Sequence, residues 1–279
     1  RSVLAAMDDA SDLTTIFLVR HGDRFDYEQP ERWLAMTSRF GMEYRDPPLS
    51  ALGHAQARET AAALVGLTAG GAVDHVLASP YLRVIQTAQP FAHAVGADIC
   101  VEEGLAEVAH IPGSVVSPAN RISYVPEVDP DYAPLVSIVP TGKDPKSGRP
   151  NELYPLDYLR RMHRMSRLLP EAFRGKTIVC FSHAASVALV AGLTRVSLAQ
   201  AGKFAPCGIF KLVGRPGGQW SVAMHGADNG AHVTRNSPST YPWGFAQSRF
   251  PTDKVWDDVV AEARAEGRDA CEPRSPSEG

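Results

Sequence analysis

The sequence contains no apolar run approaching the ~18 residues that cross a bilayer, so a spanning helix is not expected. Only four cysteines occur, at positions 100, 180, 207 and 271, and none has a partner at a metal-site or redox-motif spacing. A disulfide framework and a zinc knuckle are thereby disfavoured, and buried reduced thiols of a cytoplasmic protein are expected. Positive charge is not in excess: 28 Lys and Arg stand against 31 Asp and Glu, for a net charge of -3. Without a basic stripe or a polybasic cluster, neither a nucleic-acid nor a membrane-surface partner is expected. Arg1 to Asp12 lacks the basic-then-apolar pattern of a secretory leader, and also lacks an initiator Met, so residues upstream are expected. No internal repeat is visible. With 44% hydrophobic residues, the chain has the composition of an ordinary globular protein.

What is present is an alternation of strand and helix patterns. Thr15 to Val19 is a β-branched apolar run that ends at Arg20-His21-Gly22, as expected of a strand buried on both faces. Helical spacing runs from Ser50, a plausible N-cap, to Leu67. Further strands are predicted over Val73–Leu77, Asp98–Val101 and Lys176–Phe181. Further helices are predicted over Tyr81–Val95, Tyr158–Phe173 and Ala184–Leu193. Cys207–Val213 and Trp220–Met224 read as an antiparallel pair turned at Pro216-Gly217-Gly218. This order predicts an α/β fold with an open, mostly parallel sheet and helices on both faces.

Ligands in such sheets bind beyond the carboxyl ends of the strands. Arg20-His21 and Ser182-His183 both lie at such ends. Two stretches break the alternation and are expected as insertions over the site: about 25–48, polar with aromatic residues, and about 111–155, rich in proline. A single domain is expected over 13–250, followed by a C-terminal segment, 251–279, with a helix over Asp253–Ala265 and a disordered tail.

The segment Leu18-Val19-Arg20-His21-Gly22-Asp23-Arg24 combines groups suited to phosphate chemistry. Arginine offers a planar fork of donors for phosphate oxygens, and neutral imidazole offers a nitrogen able to attack phosphorus. Glycine lets the backbone approach an oxyanion.

Together with four later blocks, this segment resembles the histidine phosphatase superfamily, the phosphoglycerate-mutase-like fold. Those blocks are Pro48-Leu49-Ser50-Ala51-Leu52-Gly53-His54-Ala55-Gln56-Ala57, then Ala78-Ser79-Pro80-Tyr81-Leu82-Arg83-Val84-Ile85-Gln86-Thr87-Ala88. They continue with Glu102-Glu103-Gly104-Leu105-Ala106-Glu107 and Val179-Cys180-Phe181-Ser182-His183-Ala184. Within the superfamily, Arg20-His21-Gly22-Asp23-Arg24 and the tryptophan-bearing insertion look most like TULA/Sts-type and ecdysteroid-phosphate phosphatase domains, with Asp23 where those carry Glu.

The resemblance implies a phosphomonoesterase with His21 as nucleophile and a phosphohistidine intermediate. Arg20, Arg83 and His183 would hold the phosphoryl oxygens, Arg24 would add a contact, and Gly22 would allow close approach. Glu107 would be the general acid, with His110 as a rival. No cofactor and no metal are implied; His225, His232 and Asp228 match no compact ligand motif. His225-Gly226 is expected at the rear of the pocket, and His54, His75, His93 and His163 on the surface or at caps. Glu102 and Glu103 could form a solvated acidic cluster. Phe25, Tyr27, Trp33 and Tyr44 are expected to form either an apolar wall for a bulky aryl or steroid leaving group or a small satellite core. The partner would be a phosphorylated small molecule or phosphoprotein, and the family suggests a homodimer. Two alternatives remain: a mutase-type phosphotransferase, disfavoured by Asp23, Arg24 and Phe25 after the glycine, and a weakly active phospho-ligand-binding module.

Overall fold

The computed structural model describes residues 12–109, 125–145, 148–227, 232–236, 242–247 and 251–267. At its centre is β1 (Thr14–Arg20). Alternate residues of this strand enter two cores: Ile16 and Leu18 one, Phe17 and Val19 the other. That two-sided burial is why its sequence shows a continuous apolar run. Each such side chain contributes about 1.5–3 kcal/mol of burial.

β1 pairs in parallel with β6 (Thr177–Ser182), with Arg20 opposite Ser182. β6 pairs in parallel with β2 (His75–Ala78), and β2 with β3 (Ile99–Val101). On its other side β1 takes β7 (Ile209–Gly214) antiparallel, followed by β8 (Trp220–Met224). The six-stranded order is β3-β2-β6-β1-β7-β8. Four parallel strands therefore end on one edge of the sheet.

α1 (Phe25–Glu28) and α2 (Pro30–Phe40) occupy the first insertion. The segment thus corrects the expectation of a break in regular structure. Pro30 starts α2, and Gly41, at φ +62°, ends it in the left-handed region. α3 (Ala51–Leu67) and α4 (Leu82–Val95) pack together on the face of Phe17 and Val19. α5 (Leu156–Ala172), α6 (Val187–Thr194) and α7 (Thr252–Ala265) cover the other face. The predicted helix from Ala184 is split: a 3-10 turn, Ala184–Ser186, precedes α6. Predicted and observed boundaries otherwise differ by one to two residues, as frayed ends do.

From the second insertion, residues 125–145 and 148–155 are described. A short pair, β4 (Gly142–Lys143) with β5 (Pro150–Asn151), lies within them. His110, the suggested rival acid, lies outside the described residues, as do Asp228 and the expected tail, Cys271 to Gly279. No described helix is long and apolar enough to cross a membrane.

Candidate active site

The strand ends converge. His21 follows β1, Ser79 follows β2 and His183 follows β6, and the segment after β3 carries Glu107. The rings of His21 and His183 lie 5.4 Å apart, edge to face. A ring nitrogen of each histidine and a carboxylate oxygen of Glu107 all lie within 4.8 Å of one another. Arg83 Nη2 is 3.5 Å from Glu107 Oε2 and 3.3 Å from His183 Nδ1. Arg20 is buried, and its Nη1 donates to the Phe204 carbonyl at 2.8 Å.

His21 Nδ1 lies 2.7 Å from the Gly22 carbonyl oxygen. A carbonyl only accepts, so Nδ1 carries the proton and Nε2 of the neutral ring keeps its lone pair. Burial, the charges of Arg83 and Arg20, and His183 hold the His21 pKa well below the ordinary value. His183 is fully buried, with Nε2 2.7 Å from the Ser79 hydroxyl and Nδ1 3.3 Å from Glu107 Oε2. Since the carboxylate accepts, Nδ1 donates to it and the Ser79 hydroxyl donates to Nε2. Burial lowers the His183 pKa to about 4, Glu107 opposing.

Burial alone would raise the Glu107 pKa. His183 and Arg83 outweigh it and hold this carboxyl well below the usual range. Without a phosphoryl group beside it, Glu107 is thus an ionised acceptor for the donors of His183 and Arg83.

These shifts carry a stability consequence. An unfolded chain takes up protons on these histidines below pH 6.5, while the folded one resists. Stability is therefore full above about pH 6.5 and declines as the pH falls toward 4, with Glu107 adding to the loss at the acid end. His183 alone accounts for on the order of 3 kcal/mol of this decline. Thermal melts from pH 7 to pH 4 are expected to show it, and a His183→Gln variant to show a shallower slope.

Residues from the two helix-start motifs hold the His21 loop. Ser50 caps α3 by accepting from Gly53 N, and its hydroxyl donates to Asp23 Oδ2 at 2.6 Å. Asp23 N donates to Gln56 Oε1, Gly22 N to Thr87 Oγ1, and Leu49 N to Gln86 Oε1. A Cβ on Gly53 would overlap the Asp23 carbonyl oxygen. That close backbone contact is the reason for glycine there. Gly53→Ala is expected to displace the loop, lowering turnover at least tenfold and the melting temperature by several degrees, about 1–3 kcal/mol. Activity and thermal melts on one preparation would check both.

Arg24 carries an ion pair that its motif did not indicate. It forms a two-pronged pair with Asp26, at 2.9 and 2.6 Å, and donates to the Tyr27 hydroxyl at 3.0 Å. It still lines a cavity of about 500 Å³, together with Arg20, His21, Glu107, Tyr27, Val108, Tyr154, Ala184, Ala185 and Trp243. A larger cleft, about 850 Å³, between α5, α6 and α7 touches none of the candidate site residues.

The expected aromatic wall is only partly formed. Trp33 is 1% exposed, stacks edge-on with Phe25 and donates to the Tyr44 carbonyl, so it is the core of the insertion. Tyr27 alone of the four lines the cavity. Trp243, Tyr154 and Val108 complete the apolar side and were missed. Trp243 pairs by backbone with Phe204, the anchor of Arg20, and no local pattern in a Gly/Pro-rich segment marks it. Glu102 is fully buried rather than solvated and accepts from Gly104, Leu135 and Val136 N and the Tyr132 hydroxyl. His163 is buried against Trp256 rather than on the surface. His225 packs on Phe210 and is not among the cavity's lining residues.

The mostly parallel α/β sheet gathers imidazoles, guanidiniums and a carboxyl at its strand ends, groups suited to phosphoester chemistry. Residues 16–116 match the model of the histidine phosphatase superfamily (branch 1). The structure is similar to ecdysone phosphate phosphatase from Bombix mori, determined with tungstate. Identity is 22%, coverage is 75% of this chain and 92% of that one, and the TM-score is 0.60. Phosphoserine phosphatase from Entamoeba histolytica also matches at 18% identity, covering 77% of this chain and 98% of that one, TM-score 0.47. A mycobacterial glucosyl-3-phosphoglycerate phosphatase matches at 19% identity, covering 77% and 100%, TM-score 0.47. Comparison with curated protein sequences returns no match.

Proposed function

We propose that this protein hydrolyses phosphate monoesters with bulky aromatic or steroid-like leaving groups through a phosphohistidine on His21. The reading rests above all on the His21 ring, whose Nδ1–H is engaged by the Gly22 carbonyl while the ring lies among Arg83, Arg20 and His183. In this mechanism the Nε2 lone pair attacks phosphorus as the bond to the leaving oxygen breaks. Arg20, Arg83 and His183 receive the charge spread over the phosphoryl oxygens, and Arg24 adds a further cation at the cavity wall.

A phosphoryl dianion entering there competes with Glu107 for the donors of His183 and Arg83. Glu107 then loses two neutralising partners and gains an anionic neighbour, and its pKa rises. It takes up a proton, delivers it to the leaving oxygen, and afterwards removes one from the water that attacks phosphorus as the phosphorus–nitrogen bond breaks and its electron pair returns to Nε2. Inorganic phosphate leaves and His21 is restored.

Three ligand-type groups are close enough to share a metal ion, namely His21, Glu107 and His183. The adjacent Arg83 and Arg20 oppose a further cation, so the mechanism is written without one. Turnover of p-nitrophenyl phosphate with excess chelator tests this. Unchanged rates are expected, with radiolabel trapped as an acid-labile, base-stable phosphoenzyme. Tight phosphate binding without turnover would leave only a binding module.

The bulky leaving group is argued from Tyr27, Val108, Tyr154 and Trp243, the apolar and aromatic residues that line the cavity beside the charged ones. Trp243→Ala and Tyr27→Ala are each expected to raise KM for naphthyl phosphate about tenfold. KM for a small sugar phosphate should stay within twofold. Equal losses on both substrates would refute the assignment of this wall.

A further inference from the structure

Glu107 lies on a segment with little regular structure of its own, after a 3-10 turn, Glu103–Leu105. Its carboxylate must nevertheless be held within hydrogen-bond reach of a leaving oxygen. We infer that Arg161, on α5, is the positioning residue for the acid: it clamps the backbone of the Glu107 segment, and Glu152 holds Arg161 in place. The inference rests on the proposed role of Glu107.

A guanidinium has five N–H donors in a rigid fork. All five of Arg161 are engaged. Nε donates to Glu152 Oε1 at 2.7 Å and Nη2 to Glu152 Oε2 at 2.8 Å, the two-pronged carboxylate pairing. Nη1 donates to the Gly104 carbonyl at 2.7 Å and the Ala106 carbonyl at 3.0 Å, and Nη2 to the Glu107 carbonyl at 3.2 Å. Both partners are buried, Arg161 at 5% and Glu152 at 3% exposure, and the guanidinium lies over the Tyr158 ring at 4.9 Å.

A buried ion pair is a poor device for stability alone, since desolvation offsets its attraction. Here the fork does what an apolar pair could not: it fixes three carbonyls of a loop against a rigid helix. The last of them belongs to the residue carrying the acid. All five donors of Arg161 are spent on Glu152 and the loop carbonyls, which leaves none for a phosphoryl oxygen. Its loss should therefore act on proton delivery rather than on phosphate binding.

Leaving-group dependence separates these effects. p-Nitrophenolate departs with little protonation, whereas an alkoxide needs a proton. Arg161→Met is expected to reduce kcat on an alkyl phosphate at least tenfold more than on p-nitrophenyl phosphate. The inhibition constant for inorganic phosphate should stay within threefold of wild type. Glu107→Gln, measured alongside, should show the same steepening in larger amplitude. If Glu107→Gln steepens the dependence and Arg161→Met does not, the clamp is refuted while the acid stands. If neither does, the acid assignment fails and the clamp with it. A parallel loss of phosphate binding and turnover would also overturn the clamp, since that is general disorder of the site. Should Arg161→Met fail to fold, Arg161→Lys and Glu152→Gln replace it, and the same steepening in smaller amplitude is expected of each.

Discussion

His21→Ala is expected to reduce turnover of p-nitrophenyl phosphate by about 10⁴–10⁶ and to leave no acid-labile phosphoenzyme. The reason is specific to the ring. The His21 ring has Nδ1 tied to the Gly22 carbonyl, which leaves the lone pair on Nε2. His183 is the nearest candidate, yet both its nitrogens have partners, Ser79 on one side and Glu107 on the other. The His21 backbone is held independently of the side chain, by His21 N to the Ser182 carbonyl and Cys207 N to the His21 carbonyl. The variant should therefore fold. Circular dichroism and retained phosphate binding would establish that the loss is chemical. Turnover persisting above one part in a thousand would remove His21 as the nucleophile.

The second large effect is expected from Glu107→Gln, a fall of about 10²–10⁴ in kcat on alkyl phosphates. The loss should shrink for p-nitrophenyl phosphate, whose leaving group needs little protonation. The same substitution removes the anion that opposes Arg83 and His183. Phosphate and vanadate should then bind more tightly than to wild type, because they no longer displace a carboxylate from those donors. Calorimetry in buffers of different ionisation enthalpy adds a sign: wild type should take up a proton on binding phosphate near pH 7, and Glu107→Gln should not. Weaker phosphate binding in the variant would count against the exchange of partners at Arg83 and His183.

Much of this architecture was legible because its signals are local. The two-sided burial of β1 and β6 leaves continuous apolar runs, and Ser50 marks the start of α3 with a capping side chain. Arg20, His21, Arg83 and His183 stand out because each sits at a strand end or in a short motif. The first insertion was misread as irregular because its polar α1 and α2 bury only Trp33 and Thr37. Charged and hydroxyl residues recur through α2, so the segment reads as a solvated excursion although the helix is amphipathic.

Trp243, Tyr154 and Val108 were out of reach for a different reason. They come to the cavity from segments far apart in the chain, through backbone pairing and loop paths that no window of sequence records. Glu102 and Arg161 look in sequence like surface charges. Only the path of residues 132–138 and the approach of α5 bury them and supply their partners.

By itself, then, the amino-acid order determined the sheet, its helices and the chemical types gathered at the strand ends, since burial pattern, capping and short motifs are encoded within a few residues. The tertiary structure alone decided which carboxyls are buried, what Arg24 and Glu107 hold, and which aromatic side chains face the cavity. Those properties depend on distances between residues dozens of positions apart, and such distances are set only when the whole chain packs.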